Sequence, residues 1–145
     1  MQKKIFTKAI LKKTNSLNDA IKNLSKTGLQ ICFICDGKKL IGTITDGDIR
    51  RAILKKKNLE TKIKEVMREN YIFIQKNSSI KKAKILMNLY KINQIPVIDK
   101  NNNLLDVFFS ETIETSLQYE NPVIIMAGGF GKRLMPLTKN CPKPL

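Results

Sequence analysis

A threonine and an aspartate three residues apart, Thr45 and Asp48, are residues whose types and spacing could hold a ligand. Thr45 ends a predicted strand, and Asp48 lies at the start of the helix that follows. At such a junction a hydroxyl, a carboxylate and the free N–H groups of the first helical turn converge, which favours an anionic ligand. The same two residues also suit a structural role, with Thr45 as the helix cap and Asp48 as an acidic residue of the first turn.

A second group of candidates lies near the end of the chain. An apolar run of strand length, 122–126, leads into the glycine-rich segment 127–134. Glycine lets the main chain approach a phosphate closely, so Gly128, Gly129 and Gly131 can offer backbone N–H groups to phosphate oxygens.

Two familiar phosphate-binding loops are excluded at this segment. A dinucleotide-binding fingerprint needs a glycine where Leu134 stands. A Walker A loop needs a glycine at Met126 and a serine or threonine at Arg133. The chain also has no histidine, which excludes an imidazole base and any histidine-containing metal site.

The elements that must position the first pair belong to an internal repeat with an offset of 63 residues. An apolar helical stripe follows Ser16 as N-cap, and a second such stripe follows Ser79. Two pairs of predicted strands keep the offset: 9–11 with 72–74, and 31–36 with 94–99. After the next turn the offset becomes 64. Each unit is predicted to run strand, helix, strand, turn, strand, helix, and two units should pack together because one is too small to bury its sheet.

The stretch 42–50, with the sequence G-T-I-T-D-G-D-I-R, resembles the G-x-x-T-x-x-D-[IL]-R signature of CBS domains, which occur as tandem pairs in one disc-like module. The resemblance covers about residues 5–118 and agrees with the repeat length. It implies that Thr45 hydrogen-bonds a phosphate and that Asp48 accepts both ribose hydroxyls of an adenine or guanine nucleotide bound between the repeats.

The second repeat departs from this signature. The equivalents of Gly42, Thr45 and Asp48 are Asp106, Phe109 and Thr112. A core role for Phe109 is favoured over stacking on a base. We therefore expect one occupied site, organised by the first repeat. The alternative is that both sites have degenerated and the pair only joins subunits.

Residues 127–138, followed by Pro142-Lys143-Pro144, resemble the opening signature of sugar-1-phosphate nucleotidyltransferases, A-G-G-x-G-x-R-[LM]-x-P-L-T and P-K-P. The resemblance implies that the glycine loop holds a nucleoside triphosphate. It also implies catalytic roles for Arg133, as charge stabiliser, and Lys143, as a second cation at the reacting phosphates. A sugar phosphate is already an anionic nucleophile, so a chain without histidine is compatible with this reaction.

About two dozen residues of that second domain are present, whereas a doubly wound nucleotide domain needs well over about a hundred. The resemblance places the metal-binding carboxylate and the sugar pocket farther along. We therefore expect no metal site and no catalysis in this chain, and Mg²⁺ only in a full-length enzyme.

The predicted organisation is an α+β tandem CBS pair, with the first strand and loop of a truncated α/β nucleotidyltransferase domain. Its three parts are CBS repeat 1 at 1–64, CBS repeat 2 at 65–118, and the transferase start at 119–145. The predicted function is nucleotide-dependent regulation of an enzyme that transfers a nucleotidyl group from a nucleoside triphosphate to a sugar 1-phosphate and releases pyrophosphate. The expected partners are nucleotides, the rest of the catalytic domain and a second copy of the chain.

The formal net charge is +15, and residues 1–64 carry 16 basic against 5 acidic residues. Lysine greatly outnumbers arginine, although arginine is the residue suited to bidentate contacts with bases and phosphates. We interpret the excess as solvated surface and do not expect nucleic-acid binding. The excess of positive charge also surrounds the repeat in which a phosphorylated ligand would lie.

Cys32 and Cys35 form a C-x-x-C on a predicted strand, where positions three apart point to opposite faces. We therefore predict buried apolar residues rather than a metal site. Three cysteines make no disulfide framework. Without an apolar run of 18 residues or a signal peptide, the chain is expected to be soluble, cytoplasmic and without a membrane partner.

Overall fold

Each half of the described chain folds as one β-α-β-β-α unit, which confirms the predicted order of elements. The structure is a computed structural model and describes residues 6–116, with the side chains of 114–116 excepted. The first unit consists of β1 (Ile10–Leu11), α1 (Leu17–Thr27), β2 (Ile31–Asp36), β3 (Lys39–Thr45) and α2 (Asp46–Leu54). The second consists of β4 (Ile74–Gln75), α3 (Ile80–Tyr90), β5 (Gln94–Ile98), β6 (Leu104–Phe109) and α4 (Ser110–Ser116). Short 3-10 helices, Phe6–Ala9 and Ile63–Glu65, precede β1 and follow α2.

Each unit contributes a three-stranded sheet, ordered β1-β2-β3 and β4-β5-β6, with the middle strand parallel to the first and antiparallel to the third. Ile34 pairs with Gly42 in the first sheet, and Val97 pairs with Asp106 in the second. The register is irregular directly after Ile34 and directly after Val97. This confirms the offset of 63 before the hairpin and 64 after it. β4 begins at Ile74, two residues later than predicted, because the residues before it do not pair with β5.

The serines predicted to begin helices do so. The Ser16 hydroxyl accepts the Asp19 N–H at 3.2 Å, and the Asp19 carboxylate accepts the Ser16 N–H at 2.9 Å. The Ser79 hydroxyl accepts the Lys82 N–H at 3.3 Å. Helix α1 ends at Gly28, whose φ of 69° lies in the left-handed region that glycine adopts at little cost. Within residues 6–116, no helix is both long enough and apolar enough to cross a membrane.

The helices of each unit cover one face of their own sheet, and the other faces of the two sheets meet. Helices α1 and α2 pack on the first sheet around Leu17 and Ile44, and α3 and α4 pack on the second around Ile95. The cluster between the sheets, here the inter-sheet cluster, consists of Phe6, Ala9, Ile31, Phe33, Cys35, Leu40, Ile98 and Val107. It contains residues of both units, so each unit completes the burial of the other's sheet, as its small size predicts.

Cys32 and Cys35 lie on opposite faces of β2, as predicted. Cys32 belongs to the cluster beneath α1 and α2, and Cys35 belongs to the inter-sheet cluster. Both are buried free thiols. Burial raises the pKa of Cys32 to about 12 and the pKa of Cys35 to about 11. Both are therefore protonated and poor nucleophiles at neutral pH.

The segment that connects the two units, residues 55–73, pairs with β3 on its way to the second unit. Thr43 N–H donates to Arg68 O at 3.0 Å, and Arg68 N–H donates to Thr43 O at 2.8 Å. The segment passes so closely that a Cβ placed on Gly42 would lie 2.9 Å from Met67 Sδ and 3.1 Å from Arg68 O. Position 42 is therefore glycine because of the connecting segment.

Gly42→Ala should lower the free energy of unfolding by about 1–2 kcal/mol, because the added methyl displaces Met67 and the Arg68 main chain. Gly47 in α2 is the matched control, since its nearest neighbour to an added Cβ is Arg51 Nη1 at 3.4 Å. Gly47→Ala should leave stability unchanged or raise it by up to about 1 kcal/mol. Urea denaturation measures both variants, and an equal loss in the two would contradict this interpretation.

Candidate functional site

A cleft of about 500 Å³ opens between the two units, where β3 ends and α2 begins. We call it the inter-repeat cleft. The first unit lines it with Gln30, Ile31, Thr43, Thr45, Asp46, Gly47 and Arg50. The connecting segment adds Arg68, Asn70, Tyr71 and Ile72, and the second unit adds Lys91, Ile92, Asn93, Gln94 and Pro96. A cavity of this size is typical of small-molecule sites.

The lining combines apolar surface with an excess of positive charge. Its apolar members are Ile31, Tyr71, Ile72, Ile92 and Pro96. Its cationic members are Arg50, Arg68 and Lys91, and its acidic member is Asp46. Arg50 Nη2 donates to Asp46 Oδ2 at 2.9 Å on the exposed side of α2. The combination suits an anion that also carries a flat apolar group.

Thr45 lies in the lining and also caps α2. Its hydroxyl donates to Asp48 Oδ2 at 2.6 Å and accepts the Asp48 N–H at 3.4 Å, while Asp48 Oδ2 also accepts the Thr45 N–H at 2.9 Å. This capping box is the structural role that the sequence left open. Helix α2 has nine residues, and its first residues, Asp46 and Gly47, line the cleft. The positive end of the helix dipole therefore faces the cleft.

Asp48 is only 5% exposed and lies behind the lining rather than in it. Its Oδ1 accepts Arg51 Nη2 at 2.5 Å and Arg68 Nε at 2.6 Å. Burial by itself raises the pKa of Asp48, but the hydrogen bonds from Thr45, Arg68 and Arg51 outweigh burial and hold this pKa below its ordinary value. Asp48 is therefore ionised at neutral pH, and both of its oxygens are engaged within the chain.

Arg68 is a candidate residue that the sequence alone does not single out. Its partner Asp48 lies 20 residues earlier, and the connecting segment carries neither an apolar period nor a motif. Lys91 is equally unmarked, because it enters the cleft as the residue that ends α3, with φ of 53°. Arg50, in contrast, belongs to a recognisable motif, because it is the last residue of the stretch 42–50.

The corresponding place in the second unit is occupied by apolar side chains. Phe109 pairs with Gln94 at the end of β6, and both Phe109 and Leu29 pack against the inter-sheet cluster. Val107, at the position equivalent to Thr43, is a member of that cluster. Phe109 is partly buried there, which agrees with the predicted packing role. Thr112, which stands where the first unit has its buried carboxylate, is exposed.

The residues predicted to take part in nucleotidyl transfer lie outside the described residues. They are Gly128, Gly129, Gly131, Arg133 and Lys143. The strand predicted at 122–126 also lies outside them. These assignments stay sequence-based predictions.

Comparison with known proteins finds matches for both parts of the chain. A family model described as CBS domain matches residues 1–55 and 63–110. A family model described as nucleotidyl transferase matches residues 122–145. The two matches follow the order of the two resemblances seen in the sequence and confirm them.

Curated relatives match part of the chain. Arabinose 5-phosphate isomerase GutQ from Salmonella typhi is 39% identical over 90 residues, which are 61% of this chain and 28% of GutQ. The chain therefore spans less than a third of the length of this relative.

Solved structures share the fold of residues 6–116. The CBS domain pair of protein MJ0100, in complex with 5′-methylthioadenosine and S-adenosyl-L-methionine, has a TM-score of 0.64 at 28% identity and covers 73% of this chain and 84% of that one. The CBS domain protein PAE2072 from Pyrobaculum aerophilum, complexed with AMP, has a TM-score of 0.63 and covers 70% of this chain and 79% of that one. Its identity of 18% supports the shared fold alone.

Proposed function

The chain belongs to the CBS-domain family, and from this premise we propose that its tandem pair is a regulatory module that binds one adenine nucleotide in the inter-repeat cleft. The carrying observation is the cleft itself, which joins apolar walls, three cations and the start of α2. The sequence left adenine and guanine open. Adenine is supported by MJ0100, which is 28% identical and whose two bound ligands both contain adenine.

The two parts of the lining suit the two ends of a nucleotide. Ile31, Ile72 and Ile92 offer apolar surface to a flat base. Thr45 and the first turn of α2 offer hydrogen-bond donors and a positive dipole to a phosphate. The excess of cationic side chains in the lining adds attraction for the same group.

The ribose role that the family resemblance gives to Asp48 requires a local exchange of hydrogen bonds. Both carboxylate oxygens already accept donors, from Thr45 on one side and from Arg51 and Arg68 on the other. Ribose hydroxyls would have to replace one of these donors. Thr45 would likewise have to turn its O–H from Asp48 toward a phosphate, while its oxygen continues to accept the Asp48 N–H.

We propose one nucleotide per chain. The second unit has Val107 and Phe109 at the positions of Thr43 and Thr45, and Val107 lies in the inter-sheet cluster while Phe109 packs against it. Thr112 stands at the position equivalent to Asp48, so the second unit has no carboxylate at that position.

A second candidate function is a module that only pairs subunits. Both carboxylate oxygens of Asp48 already accept hydrogen bonds within the chain. This favours the pairing function, because neither oxygen is left for a ligand. Apolar residues on the outer helices also favour it, because Leu54 of α2 is 83% exposed and Leu89 of α3 is 68% exposed. Homodimerisation through these helices is part of both candidates, so nucleotide binding separates them.

Because residues 122–145 match the nucleotidyl transferase family model, we propose that the CBS module regulates a sugar-1-phosphate nucleotidyltransferase. The glycine loop would hold the triphosphate, Arg133 and Lys143 would neutralise its charge, and Mg²⁺ would bind in the remainder of that domain. The name of GutQ assigns it a sugar-phosphate substrate, so a sequence similar to part of this chain occurs in a protein of sugar-phosphate chemistry. Pyrophosphate release by the product of the full reading frame, from a nucleoside triphosphate and a sugar 1-phosphate, tests the activity. A rate unaffected by AMP would contradict the regulation.

Calorimetric titration of the 145-residue chain with AMP, ADP, ATP and GMP tests the binding proposal. We expect AMP to bind at one molecule per chain. At a concentration 100 times Kd, it should add about 2.7 kcal/mol to the free energy of unfolding, which raises Tm by several degrees. If no nucleotide binds, the pairing function replaces this proposal, and two molecules per chain would contradict the single site. Tighter binding of GMP would replace adenine by guanine.

A further inference from the structure

The backbone of Arg68 is fixed at the edge of the inter-repeat cleft. Its N–H and its carbonyl both hydrogen-bond to Thr43, at 2.8 and 3.0 Å. Thr43 is itself a lining residue and is buried in β3. The side chain of Arg68 therefore starts from a defined position, although the residue belongs to a connecting segment rather than to a helix or strand.

The guanidinium of Arg68 is held by one nitrogen and leaves two for a ligand. Nε donates to Asp48 Oδ1 at 2.6 Å. Among residues 6–116, no partner hydrogen-bonds to either Nη atom of Arg68. The side chain is 57% exposed and lines the cleft. A guanidinium fixed through Nε has restricted orientation, so its Nη groups lose less freedom when they bind an anion.

The neighbouring cations are less suited than Arg68 to bind an anion in the cleft. Arg50 Nη2 is already paired with Asp46, and the Arg50 side chain is 76% exposed. Arg51 donates to the same oxygen of Asp48 but does not line the cleft. Lys91 lines the cleft as a single ammonium, without the fork of donors that matches phosphate oxygens.

We propose that Arg68 selects phosphorylated ligands in the inter-repeat cleft, and that Asp48 positions it through Nε so that the Nη groups bind the phosphate. This inference rests on the proposed nucleotide site and adds a role that the stretch 42–50 does not contain. Asp48 then acts on the phosphate through Arg68. A nucleoside without phosphate gains nothing from this pair, so AMP binds more tightly than adenosine.

Calorimetric titration of the 145-residue chain with AMP and with adenosine tests the proposal in four proteins: wild type, Arg68→Ala, Arg68→Lys and Arg51→Ala. Wild type should prefer AMP by about 10- to 100-fold, the range of one charge-assisted hydrogen bond or a bidentate pair. Arg68→Ala should remove most of this preference and leave the affinity for adenosine unchanged. Arg68→Lys should recover part of the preference. Arg51→Ala, which removes a guanidinium from the same carboxylate oxygen outside the cleft, should keep the AMP-to-adenosine ratio.

The positioning role of Asp48 is tested by the double variant Arg68→Ala/Asp48→Asn. Its AMP-to-adenosine ratio should be no lower than that of Arg68→Ala alone, because the two residues act on the phosphate as a unit. Additive losses in this ratio would overturn the positioning role, and an unchanged AMP-to-adenosine ratio in Arg68→Ala would overturn the selection. Both results leave nucleotide binding intact, whereas a wild-type chain that binds neither ligand removes the proposed function together with this inference. A circular dichroism spectrum like that of the wild type, with a cooperative unfolding transition, verifies that each variant is folded.

Discussion

Replacing Phe33 by alanine should lower the free energy of unfolding by about 3–5 kcal/mol, the usual cost of removing a buried aromatic ring. Phe33 is 0% exposed and lies in the inter-sheet cluster, where residues of both units meet. The cavity would open between the sheets, so the loss should affect both units in one cooperative transition. Urea denaturation followed by circular dichroism measures the change.

Phe73→Ala is the matched control for this prediction. Phe73 is exposed, and its ring contact is with Tyr71 at a centroid distance of 6.0 Å. Its removal should cost no more than about 1.5 kcal/mol. Equal losses in the two variants would contradict the location of the shared core. Two separate transitions in the wild type would contradict the cooperative packing of the units.

Asp48→Asn should weaken AMP binding by about 10- to 100-fold and lower the free energy of unfolding by about 1–3 kcal/mol. The amide keeps the size of the side chain but loses the charge that holds Arg68 and Arg51. The stability loss stays moderate because both guanidinium groups are more than half exposed and water replaces part of the interaction. Titration calorimetry and urea denaturation measure the two effects.

The same variant should also change the acid dependence of stability. The pKa of Asp48 is below its ordinary value in the folded protein. Its contribution is therefore present above about pH 4 and is lost as the pH falls through the lowered pKa. The stability of Asp48→Asn should therefore depend less on pH in this acid range than that of the wild type, which urea denaturation at several pH values measures.

Asp36→Asn serves as the control for AMP binding, because Asp36 is exposed and pairs with Lys13 away from the cleft. A loss of AMP binding in Asp36→Asn would contradict the assignment of Asp48 to the site.

The internal repeat relates the strand register of the second unit to that of the first. One offset of 63 residues, changing to 64 after the hairpin, is enough to predict that Asp106 occupies the place of Gly42, and the strand register agrees. Periodicity and caps succeed here because they express local geometry. The apolar residues at 72 and 73 predict that β4 starts at residue 72. They do not pair with β5, so β4 starts at Ile74.

The candidate site was predicted in part, and the missing part depends on tertiary contacts. Thr45 and Asp48 are close in sequence, and their junction predicts both the cap and an anion site. Arg68 meets Asp48 only because the connecting segment pairs with Thr43. The second wall of the cleft comes from the turn after α3, which no motif marks.

The excess of lysine does not account for the charge of the cleft. Most of the positive charge lies in residues 1–64, yet Arg50 is the one cation that this part contributes to the described lining. Arg68 and Lys91 come from the electrically balanced part of the chain. The interpretation of the excess as solvated surface agrees with Lys57, which pairs with Glu65 in solvent.

Hydrogen–deuterium exchange with and without saturating AMP tests the central claim most directly, because it locates the ligand on the chain. A nucleotide between the repeats should slow exchange in two stretches, 43–50 at the end of β3 and 91–96 at the start of β5. Exchange at 107–113, where Phe109 stands in place of Thr45, should not change. Protection confined to 107–113, or no protection in either half of the cleft, would contradict a nucleotide site between the repeats.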